Sequence, residues 1–286
     1  MYDLAIEFLS CVKSSIRYDT HRSLLFCYFK ILINQFASKY LHQRKNSQKF
    51  LGMKAHFGNY STFYGLFRTI FVLKEYSFTA KKDPVIIDCG SNIGMSILYF
   101  KKYFPGAKIT AFEPNPGAFL LLQKNISCNG LKDITAVNAA LTDKETMVSF
   151  YVEKDDDFSL GSSLTNRLQV KGKEQEKITV RGVKLSSYVD TSVDLLKIDI
   201  EGSEQEVLEE LDKEDKLRYV NEMIVEYHFD HMDTKNLLEN VLEILHKNSF
   251  EYVIRSKKDA PLNLYKLKPY NLIIFAYKRD STRNLI

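Results

Sequence analysis

The 286-residue chain has no tryptophan, no closely spaced cysteine pair, no internal repeat and no unbroken apolar run of bilayer length. Each absence excludes something. Four cysteines (Cys11, Cys27, Cys89 and Cys128) stand without CxxC or CxxxC spacing. They argue against a zinc ribbon and a disulfide framework, and fit a reducing, cytoplasmic setting. The most apolar stretch, residues 24–36, is interrupted by Lys30 and is shorter than the roughly 20 residues a spanning helix needs. It reads as a packing helix. The opening MYDLAIEFLS carries acids where a signal peptide carries basic residues, so no signal peptide is expected.

What is present points to an ordinary globular protein. Hydrophobic residues make up 45% and charged residues 27%, enough for a sizeable core in one large α/β domain with an extension. The charge is uneven. Residues 1–82 hold 13 Lys/Arg against four Asp/Glu, a balance of +9, and the remainder holds 27 against 32, or −5. A basic N-terminal third suggests contact with something anionic: a membrane surface, a lipid-linked substrate or a nucleic acid. A solvated helical face is the plainer account.

Residues 1–62 are expected to form a helical N-terminal extension, with apolar positions three and four apart such as Leu4, Phe8 and Cys11. A polar stretch, 42–49, interrupts them. The domain proper, 63–286, opens with a helix over 63–76 that either lids the site through Tyr76 or Phe71 or packs on the sheet. Pro84 then marks a change of rhythm. Strands are expected at 85–89, 108–112, 134–141, 193–200 and 222–228, and helices at 94–104, 116–129, 204–211 and 235–247. Asn115 caps the second of these helices and Pro116 starts it. Segments 148–152 and 178–183 read as an antiparallel pair around a polar loop containing Gly161-Ser162-Ser163. Ser162 and Ser163 are the candidate substrate contacts, because such insertions usually carry them. Strands 251–255 and 272–278 lack a helix between them and should pair antiparallel. The alternation predicts a doubly wound, mostly parallel sheet that binds ligands at the strands' C-terminal ends.

The turn Asp88-Cys89-Gly90-Ser91-Asn92-Ile93-Gly94 follows the first strand of that sheet. Its glycines permit a tight turn and close ligand approach. The spacing is DxGxNxG, not the GxGxxG of dinucleotide enzymes. Asp88 would repel a pyrophosphate but suits the positive amino group or sulfonium region of S-adenosylmethionine. The next strand ends in Phe112-Glu113-Pro114-Asn115, where Glu113 can accept hydrogen bonds from both ribose hydroxyls. Asp88 and Glu113 as mere turn caps are the structural alternative.

DCGSNIG, FEPNP, LLKIDIEGSE and IVEYH, in this order and at these intervals, resemble the FkbM family of S-adenosylmethionine-dependent methyltransferases over roughly 63–256. The resemblance implies the class I methyltransferase (Rossmann-like) fold, a seven-stranded sheet of order 3-2-1-4-5-7-6 with its last strand antiparallel. It also implies O-methylation of natural products, sugars or surface polysaccharides. Asp88, Gly90, Asn92 and Gly94 match the cofactor turn, with Ser91 inside it. Glu113 matches the ribose acid, followed by Pro114 and Asn115. Asn138 and Ala139 match the border of the adenine.

Methyl transfer to a hydroxyl needs a positioned acceptor and a base. In LLKIDIEG, Lys197, Asp199 and Glu201 alternate onto one strand face, and Glu226 and His228 share a face of the neighbouring strand. Asp199 is the first candidate for orienting or deprotonating the acceptor beside the methyl donor. His228 is the alternative base, since its reference pKa of roughly 6.5 suits proton removal near neutrality. Glu201 and Glu226 complete the catalytic set. A Lys197–Glu ion pair and a hydrogen-bonded core histidine are the structural alternatives. Asp199, Glu201, His228, Asp230 and His231 could together hold Mg2+ against adjacent hydroxyls, but they lack tight ligand spacing and no metal site is assigned. A dinucleotide oxidoreductase is opposed by Asp88 and the missing third glycine. A nucleic-acid methyltransferase is opposed by the lack of an NPPY or PCxxC motif. A non-catalytic binding module would show Asp199 and Glu201 paired to Lys197 and turned from the cleft.

Overall fold

The strand expected after Pro84 forms as β3 (Val85–Cys89). In the computed structural model its side chains alternate between two cores: Ile86 joins one apolar cluster, Ile87 and Cys89 the other. That is the consequence of a two-residue period in a strand covered on both faces. The structure describes residues 21–80, 82–153, 163–164, 174–229, 236–256 and 270–278.

Ahead of β3 lie α1 (His21–Tyr40), a hairpin of β1 (Ser47–Phe50) and β2 (Met53–His56), and α2 (Tyr60–Phe67). After β3 come α3 (Met95–Tyr103), β4 (Lys108–Phe112), α4 (Pro116–Cys128), β5 (Ile134–Val137), β6 (Ala140–Leu141), β7 (Thr146–Glu153) and β8 (Gln175–Val183). The chain continues through β9 (Val193–Ile198), α5 (Glu204–Lys213), β10 (Val220–Phe229), α6 (Leu238–Lys247), β11 (Phe250–Ser256) and β12 (Tyr270–Lys278).

The main sheet has seven strands in the order β11-β12-β10-β9-β3-β4-β5. β5, β4, β3, β9 and β10 run parallel, and β12 pairs antiparallel with both β10 and β11. This is the 3-2-1-4-5-7-6 order of the class I methyltransferase fold, with the expected antiparallel strand. β3 and β9 sit centrally, so the turns leaving them meet where the sheet binds ligands.

Three elements differ from their sequence-based expectation. The strand expected over 134–141 divides: β5 stays in the main sheet, and β6 joins β8 and β7 in a separate three-stranded sheet. The helix expected over 63–76 runs as α2 and then widens into a π-turn at Arg68–Val72. The polar stretch 42–49 leads into a hairpin, whose strand β2 has its edge satisfied by α4 and its C-cap, Asn129. Asn125 accepts from His56 N (2.6 Å) and donates to His56 O (2.9 Å), and Asn129 does the same for Lys54 (2.8 and 2.7 Å). Asn125 Nδ2 also donates to Ile93 O (2.8 Å), tying the hairpin to the glycine turn.

Along α1, Phe26, Ile33, Phe36 and Tyr40 are exposed while Leu24, Tyr28 and Ile31 are buried. Among the described residues no helix is long and apolar enough to cross a membrane.

Candidate active site

A cleft of about 260 Å³ opens where β3, β4 and β9 end. Of the sequence-predicted residues it brings together Gly90, Ser91, Asn92, Glu113, Pro114, Ala139, Asp199, Glu201 and Glu226 on its wall. Tyr76, Phe150 and Leu164 line it as well.

The glycine turn is built by the neighbouring strand as much as by its own sequence. Gly90 and Ser91 donate their N–H groups to Phe112 O (3.0 and 2.9 Å), which pins the turn to the end of β4. Gly90 lies at φ +84°, and a Cβ there would fall 1.8 Å from the Asp199 carbonyl oxygen. Glycine is required because the two central turns pass in contact. Asn92 (φ 47°) and Glu201 (φ 58°) occupy the left-handed region without being glycine, a strained conformation that a site can hold.

Asp88 does not face the cleft as expected. It is fully buried beneath the turn. Its Oδ1 lies 3.0 Å from Lys197 Nζ and its Oδ2 accepts from Ser96 Oγ at 2.5 Å. The strand direction explains this: Asp88 is still inside β3, one residue short of the turn. Lys197 is buried too and donates to Gly90 O (2.8 Å). Burial alone would lower its pKa, but Asp88 and then Asp199 raise it above the ordinary lysine value. The ion pair is therefore Lys197 with Asp88, not with a glutamate.

Glu113 sits as expected. Its Oε2 accepts from Asn92 N (2.7 Å) and its Oε1 from Asn115 N (2.8 Å). Burial pushes its pKa up to about 7, against the pull of those two backbone donors. Gly94, Asn115 and Asn138 are scaffold and are not on the wall. Gly94 caps α3, Asn115 caps α4 through Gly117 N and Ala118 N, and Asn138 Nδ2 donates to Glu113 O (2.8 Å).

At the other end, β9 stops at Ile198, so a turn and not strand alternation carries Asp199 and Glu201 to the wall. Asp199 Oδ2 accepts from Tyr76 OH (3.2 Å) and lies 3.7 Å from Lys197 Nζ. Tyr76 thus reaches the site, whereas Phe71 is buried against Phe50, Phe67 and Tyr99. Asp199 is paired with Lys197, as a binding module predicts, but both Asp199 and Glu201 line the cleft and are not turned from it. Glu226 Oε1 accepts from Asn271 Nδ2 (2.7 Å), a residue placed solely by the register of β12 against β10.

His228 is 2% exposed and lies behind the wall. Its Nδ1 meets Glu204 Oε1 at 2.8 Å, and its Nε2 lies 3.4 Å from Glu201, 3.5 Å from Glu226 and 3.8 Å from Asp199. Burial would lower its pKa, but Glu201, Glu204 and Glu226 raise it to about 10. An imidazolium at neutral pH has no lone pair to accept a proton, so His228 is not poised as the alternative base. Glu204, held by Gly202 N (2.9 Å) and Asn236 Nδ2 (2.8 Å), was missed in the sequence. Its one signal was its place as the last acid of KIDIEGSE.

Ser163 is buried and exchanges backbone hydrogen bonds with Tyr151, away from the wall. Ser162, Asp230 and His231 lie outside the described residues.

A family model described as "Methyltransferase FkbM domain" matches residues 88–252. The chain is 28% identical over 224 residues to Methyltransferase 1 of Beauveria bassiana, covering 72% of this chain and 87% of that protein. It is 27% identical over 221 residues to 31-O-demethyl-FK506 methyltransferase FkbM of Streptomyces tacrolimicus, covering 66% and 82%. It is 26% identical over 145 residues to 2-O-methyltransferase NoeI of Sinorhizobium fredii, covering 46% and 59%.

Proposed function

The chain belongs to the FkbM family of S-adenosylmethionine-dependent methyltransferases, and we propose that it methylates a hydroxyl of a saccharide, a surface-polysaccharide precursor or another hydroxylated natural product. The observation that carries this reading is the division of one cleft into a nucleoside-compatible end at Glu113 and an acidic end at Asp199, Glu201 and Glu226. The names of the two O-methyltransferase relatives support oxygen as the acceptor atom.

The residues fit the cofactor. Glu113 is a buried carboxylate whose ionised form needs further donors, and a ribose diol offers two. Ala139 and Pro114 supply an apolar wall suited to an adenine, beside the backbone of Gly90, Ser91 and Asn92. S-adenosylmethionine supplies a methyl carbon on a sulfonium. When bound, it would release that carbon to the acceptor oxygen, with the electron pair of the broken C–S bond left on sulfur.

In this reading Asp199 receives the hydroxyl proton as the new bond forms, acting as general base. Tyr76 and Lys197 fix its orientation through the same oxygen, Oδ2, which leaves Oδ1 for the acceptor. Glu201 and Glu226 hold further hydroxyls of the acceptor. A peripheral contact between the basic N-terminal third and an anionic surface would bring a lipid-linked acceptor to the cleft.

Calorimetric titration with S-adenosylmethionine, followed by transfer of labelled methyl to hydroxylated acceptors, tests the reading. Acceptors are offered free and anchored in anionic vesicles. Saturable cofactor binding and label recovered as a methyl ether are expected. A label recovered on nitrogen or carbon alone would overturn O-methylation.

A further inference from the structure

We propose that Asp199, Glu226 and His228 form a binding site for a divalent cation of the Mn2+ or Zn2+ class at the acidic end of the cleft. It deepens the reading above, naming what holds the acceptor there.

The ligand atoms of the three side chains all lie within 4.8 Å of one another. Two donors bound to one ion at about 2.1 Å each stand about 3.0–3.4 Å apart at octahedral or tetrahedral angles. The separations from His228 Nε2, 3.5 Å to Glu226 Oε1 and 3.8 Å to Asp199 Oδ1, need only small side-chain movements to match.

A second, independent observation points the same way. His228 Nε2 is buried among Glu201, Glu226 and Asp199 at 3.4–3.8 Å, yet hydrogen-bonds to none of them. A buried ring nitrogen that makes no hydrogen bond is rare and calls for an explanation. The opposite ring nitrogen is held by Glu204 at 2.8 Å, and Glu204 is fixed by Gly202 N and Asn236 Nδ2. A carboxylate behind a histidine fixes its ring orientation and makes its free nitrogen a better donor. The two oxygens of Asp199 are divided between partners: Oδ2 goes to Tyr76 and Lys197, and Oδ1 faces His228. One imidazole with two carboxylates suits Mn2+ or Zn2+ better than Mg2+, which prefers oxygen alone.

Asp199 and Glu226 line the cleft, so an ion between them keeps positions open toward the acceptor. With Oδ1 of Asp199 held as a ligand, the ion takes the part given above to Asp199 as base: it would bind a hydroxyl oxygen and lower the pKa of its proton, which passes to solvent. An ion bound here displaces the proton from Nε2 into solvent and takes over the charge neutralisation that proton provides, so binding strengthens as pH rises.

The test uses the full chain with MnCl2 or ZnCl2 alone, without cofactor or acceptor. Calorimetry for both metals, and electron paramagnetic resonance for Mn2+, should report one saturable site per chain. Glu226→Gln and Asp199→Asn, both near-isosteric, should weaken it by about 100-fold or more. His228→Gln should also remove the imidazole nitrogen coupling from the Mn2+ spectrum. No saturable binding of either metal, or unchanged binding in Glu226→Gln and Asp199→Asn, overturns the site. S-adenosylmethionine titrated into the same samples separates the outcomes: cofactor binding without metal binding defeats this inference and leaves methyl transfer standing.

Discussion

At the end of the cleft formed by β3 and β4, each acid has partners within the protein. Asp88 is matched by Lys197 and Ser96, and Glu113 rests on two backbone N–H groups. At the end formed by β9 and β10, Asp199, Glu201, Glu226 and Glu204 gather around a single imidazole. The first end presents mostly backbone and small apolar side chains to a ligand. The second presents a surplus of negative oxygen. Lys197 joins them, since it starts on β9 and neutralises the acid under the turn of β3. The contrast assigns different work to the two ends: one grips a nucleoside by shape and a few fixed acceptors, the other manages charge and protons.

The comparison breaks most sharply at Asp199. If the acidic end does the chemistry, Asp199→Ala lowers kcat by about 10²–10⁴-fold. Cofactor affinity, measured by calorimetry, stays within a few-fold of wild type. A comparable loss of cofactor affinity would merge the two ends into one.

Lys197→Ala attacks the joint. It leaves Asp88 buried without its cation, and loss of one partner of a buried pair costs about 3–5 kcal/mol. Urea unfolding should show this, and the added change Asp88→Asn should restore part of it, because it removes the orphaned charge. Additive losses in the double variant would show that the pair is not coupled.

The smallest effect sharpens the nucleoside end. Burial raises the Glu113 pKa from 4.5 to about 7, so the folded protein without cofactor holds this proton more tightly than the unfolded chain. The linkage sign follows. Any stability from this group is complete below the unfolded value and is lost as pH rises toward 7. Cofactor binding runs the other way, since ribose hydroxyls donate to the ionised form. Its Kd should weaken by up to about tenfold per pH unit below 7 and level off above it. In Glu113→Gln that slope should vanish. A slope that persists would move the titration to another group.

The parallel strands were legible in the sequence because each is a short apolar run punctuated by Pro, Gly or Asn. The turn 88–94 and Glu113 were legible because each site is made by a few consecutive residues. Their backbone roles were less so: nothing in DCGSNIG says that Asp88 faces inward to a lysine over one hundred residues later. The division of 134–141 was hidden, since Val137 and Ala140 are equally apolar and only pairing separates their sheets. His228 was legible as a site residue but not as an imidazolium. Its proton depends on Glu204, which comes from a helix, and on Glu201, which comes from a left-handed turn. Asn271 left no local signal at all.

By itself the sequence determined the family, the alternation of parallel strands and helices after Pro84, and which acids gather where those strands end. Those follow from periodicity and from motifs a few residues long. Only the tertiary structure decided which acids are spent inside the protein and which face the cleft. Charge state and partnership depend on distances of 3–4 Å between residues far apart in the chain, and strand register together with the turn after β9 sets such distances.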